Sequence, residues 1–202
     1  NRSVFLRLKA TGFRDIRLHF NMDDMALDYV RKIKDHGLEA NIFITYTNKL
    51  ANEVNEKVRS LLFPRKKGII KGELLMVVQN NYKFDITNGE QIIVDWISHE
   101  AEHKAGLNFR NFTGLVKDFE GYRTVTGKVL EDVLYSISPN LNNEQEWMLY
   151  RDFIIRCKER GIQPNHPEFL SELISDPWLN AVRCRFGYAV TCHKAQGGEW
   201  ER

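Results

Sequence analysis

The sequence predicts an α/β protein: strand–turn–helix units of a parallel sheet, interrupted by a small antiparallel β unit and by a pair of helices. Three observations predict it. A strand-like run, IFITYT (Ile42 to Thr47), passes at once into an amphipathic helical run. After PRKKG (Pro64 to Gly68) the apolar period changes from helical to alternating. Near the end an apolar strand, VRCRFGYAV, turns abruptly polar. The chain has 202 residues, of which 43% are hydrophobic and 28% charged, enough for one large or two small domains with a sizeable core.

In order, Asn21 to Gly37 reads as a helix. Asp23 and Asp24 suit its first turn, Leu27, Val30 and Ile33 follow at helical spacing, and Gly37 is a stop signal. IFITYT follows as a strand. In NKLANEVNEKVRSLLF, Leu50, Val54, Val58 and Leu61 share one face of a second helix. ELLMVVQ (Glu73 to Gln79) and NGEQIIVDWI read as strands, with Asn88-Gly89 as a hairpin signal. NFRNFTGLVKDF and GYRTVTGKVLEDVLYSI continue in short β-like segments, so residues 68–138 read as a small barrel. NNEQEWMLYRDFIIRCKERG is a helix with acidic residues first and basic residues last, as the helix dipole favours. HPEFLSELISDPW is a shorter helix with Pro167 near its start. The last strand leads into TCHKAQGGEWER.

The totals exclude little. A net charge of +2 neither demands nor excludes nucleic acid, because a local patch matters more than the sum. No apolar run approaches the roughly 20 residues that span a bilayer, so no membrane partner is expected. The first residues, NRSVFLRLKATGF, lack the features of a signal peptide and read as the middle of a domain. Cys157, Cys184 and Cys192 are odd in number and widely spaced, which fits reduced thiols and a cytoplasmic protein.

Two motifs invite chemistry and fail on context. His99, Glu100 and His103 have the H-E-x-x-H spacing of zinc proteases, which needs a helix to bring both imidazoles to one face. The run follows an alternating strand, Gly106 would stop a helix almost at once, and Phe109 stands where a third ligand is needed. A polar hairpin turn is the simpler reading, and no metal site is expected. GYRTVTGKV resembles a phosphate loop, but Gly121 is one residue too far from Gly127-Lys128. Val129 also stands where the Mg²⁺-binding hydroxyl should be.

YAVTCHKAQGGEW (Tyr188 to Trp200) is denser in binding groups. It leaves a strand and presents Thr191, His193, Lys194, Gln196, a glycine pair and Glu199. Thr47-Asn48 similarly ends IFITYT and opens a helix, whose N-terminus suits a phosphate; helix capping alone would also account for these two. If the two strands neighbour each other in parallel, both polar ends line one sheet edge.

These residues resemble a known family. YAVTCHKAQGGEW looks like motif V of superfamily 1 DNA helicases, in the RecD-like and Dda-like form, and ITYTNKLANEVNEKVR resembles their motif IV region. KGELLMVVQNNY followed by NGEQIIV resembles the start of the β-barrel those enzymes insert into their second motor domain. The resemblance implies a RecA-like parallel sheet from residues 1–67 and 178–202, an inserted β-barrel at 68–138 and a helical insertion at 139–177. It implies that Thr47, Asn48, Thr191, His193, Lys194 and Gln196 meet single-stranded DNA, and that Gly198 and Glu199 approach the ribose of ATP. No phosphate loop and no Asp-Glu metal motif occurs in the 202 residues. The resemblance therefore implies the C-terminal part of an ATP-dependent helicase of the 5′-to-3′ kind, without its first motor domain. ATP and Mg²⁺ would belong to the whole parent, and the fragment alone would hold no complete catalytic set. A non-catalytic module that binds single-stranded nucleic acid is the competing reading.

Overall fold

The computed structural model describes residues 17–66, 68–118, 120–136, 138 and 140–195. Two helices open the described chain. Helix α1 (Met22–His36) is capped by Asn21, whose side chain accepts from the Asp24 N–H, and ends at Gly37 with φ 90°. Strand β1 (Phe43–Thr45) leads through Tyr46 into α2 (Asn48–Leu62), capped by Thr47. The buried residues of α1 (Ala26, Tyr29, Val30, Ile33) and of α2 (Ala51, Val54, Asn55, Val58) recur at helical spacing.

The middle of the chain is β-rich: β2 (Leu74–Val77), β3 (Gln91–Ile97), β4 (Glu102–Lys104), β5 (Leu107–Asp118) and β6 (Gly121–Leu130). Helix α3 (Glu131–Tyr135) follows directly, then α4 (Asn143–Glu159) and α5 (Glu168–Ser175). Asn142 and Gln145 form a reciprocal capping box at the start of α4. The chain returns as β7 (Cys184–Phe186), β8 (Ala189–Thr191) and the single turn α6 (Cys192–Ala195). No helix among the described residues is long and apolar enough to cross a membrane.

The predicted large parallel sheet of RecA type is not what forms. Among the described residues the parallel sheet has two strands, β1 and β8, in the register Phe43↔Ala189, Ile44↔Val190 and Thr45↔Thr191. The dominant sheet has six antiparallel strands, in the order β4-β5-β3-β2-β7 with β6 on the other side of β5. The run VRCRFGYAV is therefore two strands in two sheets. Its first half pairs with β2 (Leu75↔Phe186, Met76↔Arg185, Val77↔Cys184), and its second half leaves to pair with β1. Gly187 is the crossing point. Its N–H donates to the Leu74 carbonyl at 2.8 Å, and a Cβ there would lie 3.0 Å from the Leu75 backbone carbon. Both halves are buried, so they form one continuous apolar run that does not reveal a change of partner.

The predicted barrel is corrected as well. The antiparallel sheet stays open. Its β6 and β7 ends meet at one parallel bridge, Val129↔Val182, through Val182 N–H to Lys128 O (2.7 Å) and Leu130 N–H to Val182 O (3.1 Å). Residues Glu131 to Tyr135, read as part of a β segment, are helical and bury Val133 and Leu134. A run of five residues after a strand carries no periodicity that separates it from one helical turn.

One apolar cluster joins the buried faces of α1 and α2 to the antiparallel sheet through Val54, Val58, Leu74, Ile92, Phe112 and Tyr188, among others. A second packs α4 onto β5 through Leu107, Phe109 and Leu149. Phe153 and Cys157 of α4 join the partly buried Phe169 and Leu173 of α5 in a third. In the main cluster the fully buried Glu73 pairs with Arg59 and accepts the Ile70 N–H at 3.0 Å. Burial pushes the Glu73 carboxyl up, with Arg59 acting in the opposite direction.

Candidate functional site at the β1–β8 edge

The parallel pairing of β1 and β8 brings two polar chain segments together. Both strands run toward the same edge, and register Thr45↔Thr191 sets Tyr46-Thr47-Asn48 beside Cys192-His193-Lys194. Thr45 is buried, and its hydroxyl lies 3.1 Å from the Val190 carbonyl and 3.2 Å from the Thr47 carbonyl, tying the two strand ends to each other. The Cys192 thiol reaches the Thr45 carbonyl at 3.4 Å.

Thr47 accepts the Leu50 N–H at 3.1 Å, so it is the N-cap of α2. Capping uses its oxygen and leaves its hydroxyl hydrogen able to donate. The first-turn N–H groups of a helix have no intrahelical acceptor and carry the positive end of its dipole. Asn48 is exposed in that turn, and His193 is exposed on the neighbouring segment. Thr191 and Lys194 are half-buried. Of the residues singled out from sequence, Thr47, Asn48, Thr191, His193 and Lys194 thus converge on one edge. Gln196, Gly198 and Glu199 lie outside the described residues.

The edge is held by groups that the sequence reading passed over. Asn55 bonds the backbone of Ala189 twice, accepting its N–H at 2.8 Å and donating to its carbonyl at 3.3 Å. The Tyr29 hydroxyl donates to the Tyr188 carbonyl at 2.8 Å. A polar residue on the apolar face of α2 was the available signal for Asn55. Tyr46 is 89% exposed, directly between the buried Thr45 and the cap Thr47. A solvent-facing ring at a polar edge is a stacking surface.

Between α2 and the β7–β8 segment lies a pocket of about 60 Å³, lined by Asn48, Asn52, Arg185, Thr191 and Lys194, among others. It adjoins a cleft of about 560 Å³ between α2 and α3, which Arg59, Tyr135 and Arg185 also line. Burial holds the Lys194 amine below the usual lysine range, and the nearby charge of Arg185 adds to this.

The H-E-x-x-H stretch has a different geometry. His99 and Glu100 are in the loop after β3, whereas His103 is on β4 with its Nδ1 3.1 Å from Asn108 Oδ1. Glu102, between the histidines, bonds Lys128 and accepts from Trp178 Nε1 at 3.3 Å. No group of three or more His, Cys, Asp or Glu residues that could hold a metal occurs among the described residues. GYRTVTGKV is entirely strand β6, and a Cβ on Gly127 would lie 2.5 Å from the Phe84 ring.

A scan of protein-family models finds no match to the chain, and no curated protein matches it.

Proposed function

We propose that the β1–β8 edge grips the backbone of single-stranded DNA, and that the chain is part of an ATP-dependent superfamily 1 helicase. The observation that carries the reading is the parallel register Thr45↔Thr191, which sets the two polar ends side by side. Hydroxyls, an imidazole, an amine and a helix N-terminus together form a donor-rich surface suited to phosphates. The exposed Tyr46 ring adds a face on which a base can stack. The likeness of YAVTCHKAQGGEW to motif V supports DNA as the strand bound. The ATP side of the reading, through Gly198, Glu199 and Mg²⁺ in the parent, rests on that resemblance alone, as does the expectation of a partner motor domain.

Fluorescence anisotropy with labelled oligothymidylate and with a mixed-sequence oligonucleotide tests the grip. Binding should be similar for both, weaken steeply with salt, and fall for Thr191→Ala and His193→Ala. Undiminished binding by both variants would overturn the assignment.

A further inference from the structure

Two arginines two residues apart are treated differently. Arg183 and Arg185 are both nearly buried, 9% and 6% exposed. Arg183 is satisfied by a bidentate pair with Glu146, one contact being Nη2 to Oε2 at 2.9 Å. Arg185 has no carboxylate partner among the described residues. Its Nη2 bonds the Ser136 carbonyl, and its buried Nε meets no acceptor. A buried guanidinium without a counter-charge is costly, and buried polar groups are nearly always paired.

The surroundings raise that cost. Arg185 and Lys194 line the same small pocket, and among the described residues no acidic side chain lines it. Glu53 and Glu56 line the neighbouring larger cleft and are exposed. Asn48 brings the N-terminus of the 15-residue α2 to the pocket, and Thr191 and Asn52 complete the donors. Asn55 also lines it, but its amide is committed to Ala189. About 60 Å³ is several times the ~10–15 Å³ that one water needs, which is room for a tetrahedral oxyanion.

We infer that Arg185, Lys194, Asn52, Thr191 and the first turn of α2 form a binding pocket for a phosphate group. The anion supplies a counter-charge to two clustered cations that no carboxylate of the described residues pairs. The chemistry of the pocket stands on these contacts. Identifying the phosphate as one of a DNA backbone, rather than of a nucleotide, rests on the reading under Proposed function.

The test is thermal unfolding and calorimetric titration of the 202-residue chain with inorganic phosphate at constant ionic strength. Phosphate should bind saturably and raise the melting temperature, where chloride does not. Lys194→Met removes a half-buried charge beside another and should leave the fold intact, yet bind phosphate about tenfold more weakly, the loss of one charged hydrogen bond. Arg185→Lys keeps the charge but not the fork, and should weaken binding similarly. Absence of saturable binding, or equal binding by wild type and Lys194→Met, would overturn the pocket; undiminished oligothymidylate binding by Lys194→Met would then leave the DNA grip standing by itself. Competition names the source. Displacement of phosphate by oligothymidylate identifies a backbone phosphate, and displacement by ADP a nucleotide. Saturable phosphate binding that neither displaces supports the pocket while removing its link to DNA.

Discussion

Asn55 of α2 holds Ala189 of β8 by both of its backbone groups, accepting the N–H at 2.8 Å and donating to the carbonyl at 3.3 Å. A side-chain amide here substitutes for a neighbouring strand. It satisfies the outer edge of the β1–β8 pair, and it orients the segment that carries Thr191 and His193.

Asn55→Ala leaves both Ala189 groups buried and unpaired. The expected cost is about 2–3 kcal/mol, measured by urea unfolding. Asn55→Asp should cost at least as much, because it sets an acceptor against the Ala189 carbonyl. Hydrogen exchange should accelerate first in β8. Uniform acceleration across the chain would show that the clamp serves the whole fold and not this edge.

Arg59 faces the fully buried Glu73 and lies over the Phe186 ring at 4.3 Å. Arg59→Met strands that carboxylate, with an expected loss of about 3–5 kcal/mol at neutral pH. The pH dependence has a definite sign. Glu73 has a folded pKa raised by burial, so its contribution is full at acid pH and is lost as pH rises through the folded value. Without Arg59 the carboxyl rises further. The difference between urea midpoints at about pH 4 and about pH 7 should therefore widen in the variant. A narrower difference would contradict the pairing.

Gly114 of β5 is opposite Val94 of β3, and a Cβ built there would lie 2.3 Å from Ile92 Cγ2. Ile92 is fully buried, so its methyl has little room to retreat. Gly114→Ala should destabilise by about 1–3 kcal/mol through overpacking. Gly114→Ala should cost less in an Ile92→Ala background, which lacks the clashing Cγ2, than in the wild type, read as a double-mutant cycle in denaturant.

Three of the six histidines, His99 and His103 in one stretch and His193 in another, are competing candidates for chemistry. His99→Ala and His103→Ala should leave oligonucleotide affinity unchanged, since His99 is in the loop after β3 and His103 is on β4, in the antiparallel sheet and not in the β1–β8 pair. Lys194→Met should lower affinity and reduce the slope of log affinity against log salt by about 0.7, the value for one phosphate contact on a single strand. Loss of binding on His99→Ala with none on His193→Ala would place the chemistry at the wrong end of the molecule. Zinc analysis of the purified chain, expected to show no stoichiometric metal, checks the same stretch independently.

The sequence by itself determined the local elements. Asn21 and Gly37 bound α1, Thr47 opens α2, and of the apolar face read as Leu50, Val54, Val58 and Leu61, Val54 and Val58 are buried. Each of these rests on interactions within a few residues, and such interactions leave a period or a cap in the sequence. The polar ends Thr47-Asn48 and Thr191-His193-Lys194 were legible for the same reason, as abrupt changes from apolar to polar at strand ends. Tertiary structure alone decided what those strands pair with. VRCRFGYAV is one apolar run, yet Cys184–Phe186 joins an antiparallel sheet and Ala189–Thr191 a parallel pair. A buried strand is apolar on both faces whichever neighbour it has, so pairing leaves no periodic trace. Asn55 and Arg185 followed the same logic: each is a polar residue among apolar ones. The partner that explains Asn55, the Ala189 backbone, is 134 residues away in the chain. Arg185 faces a pocket assembled from α2, β8 and α6 that exists only once the chain has folded.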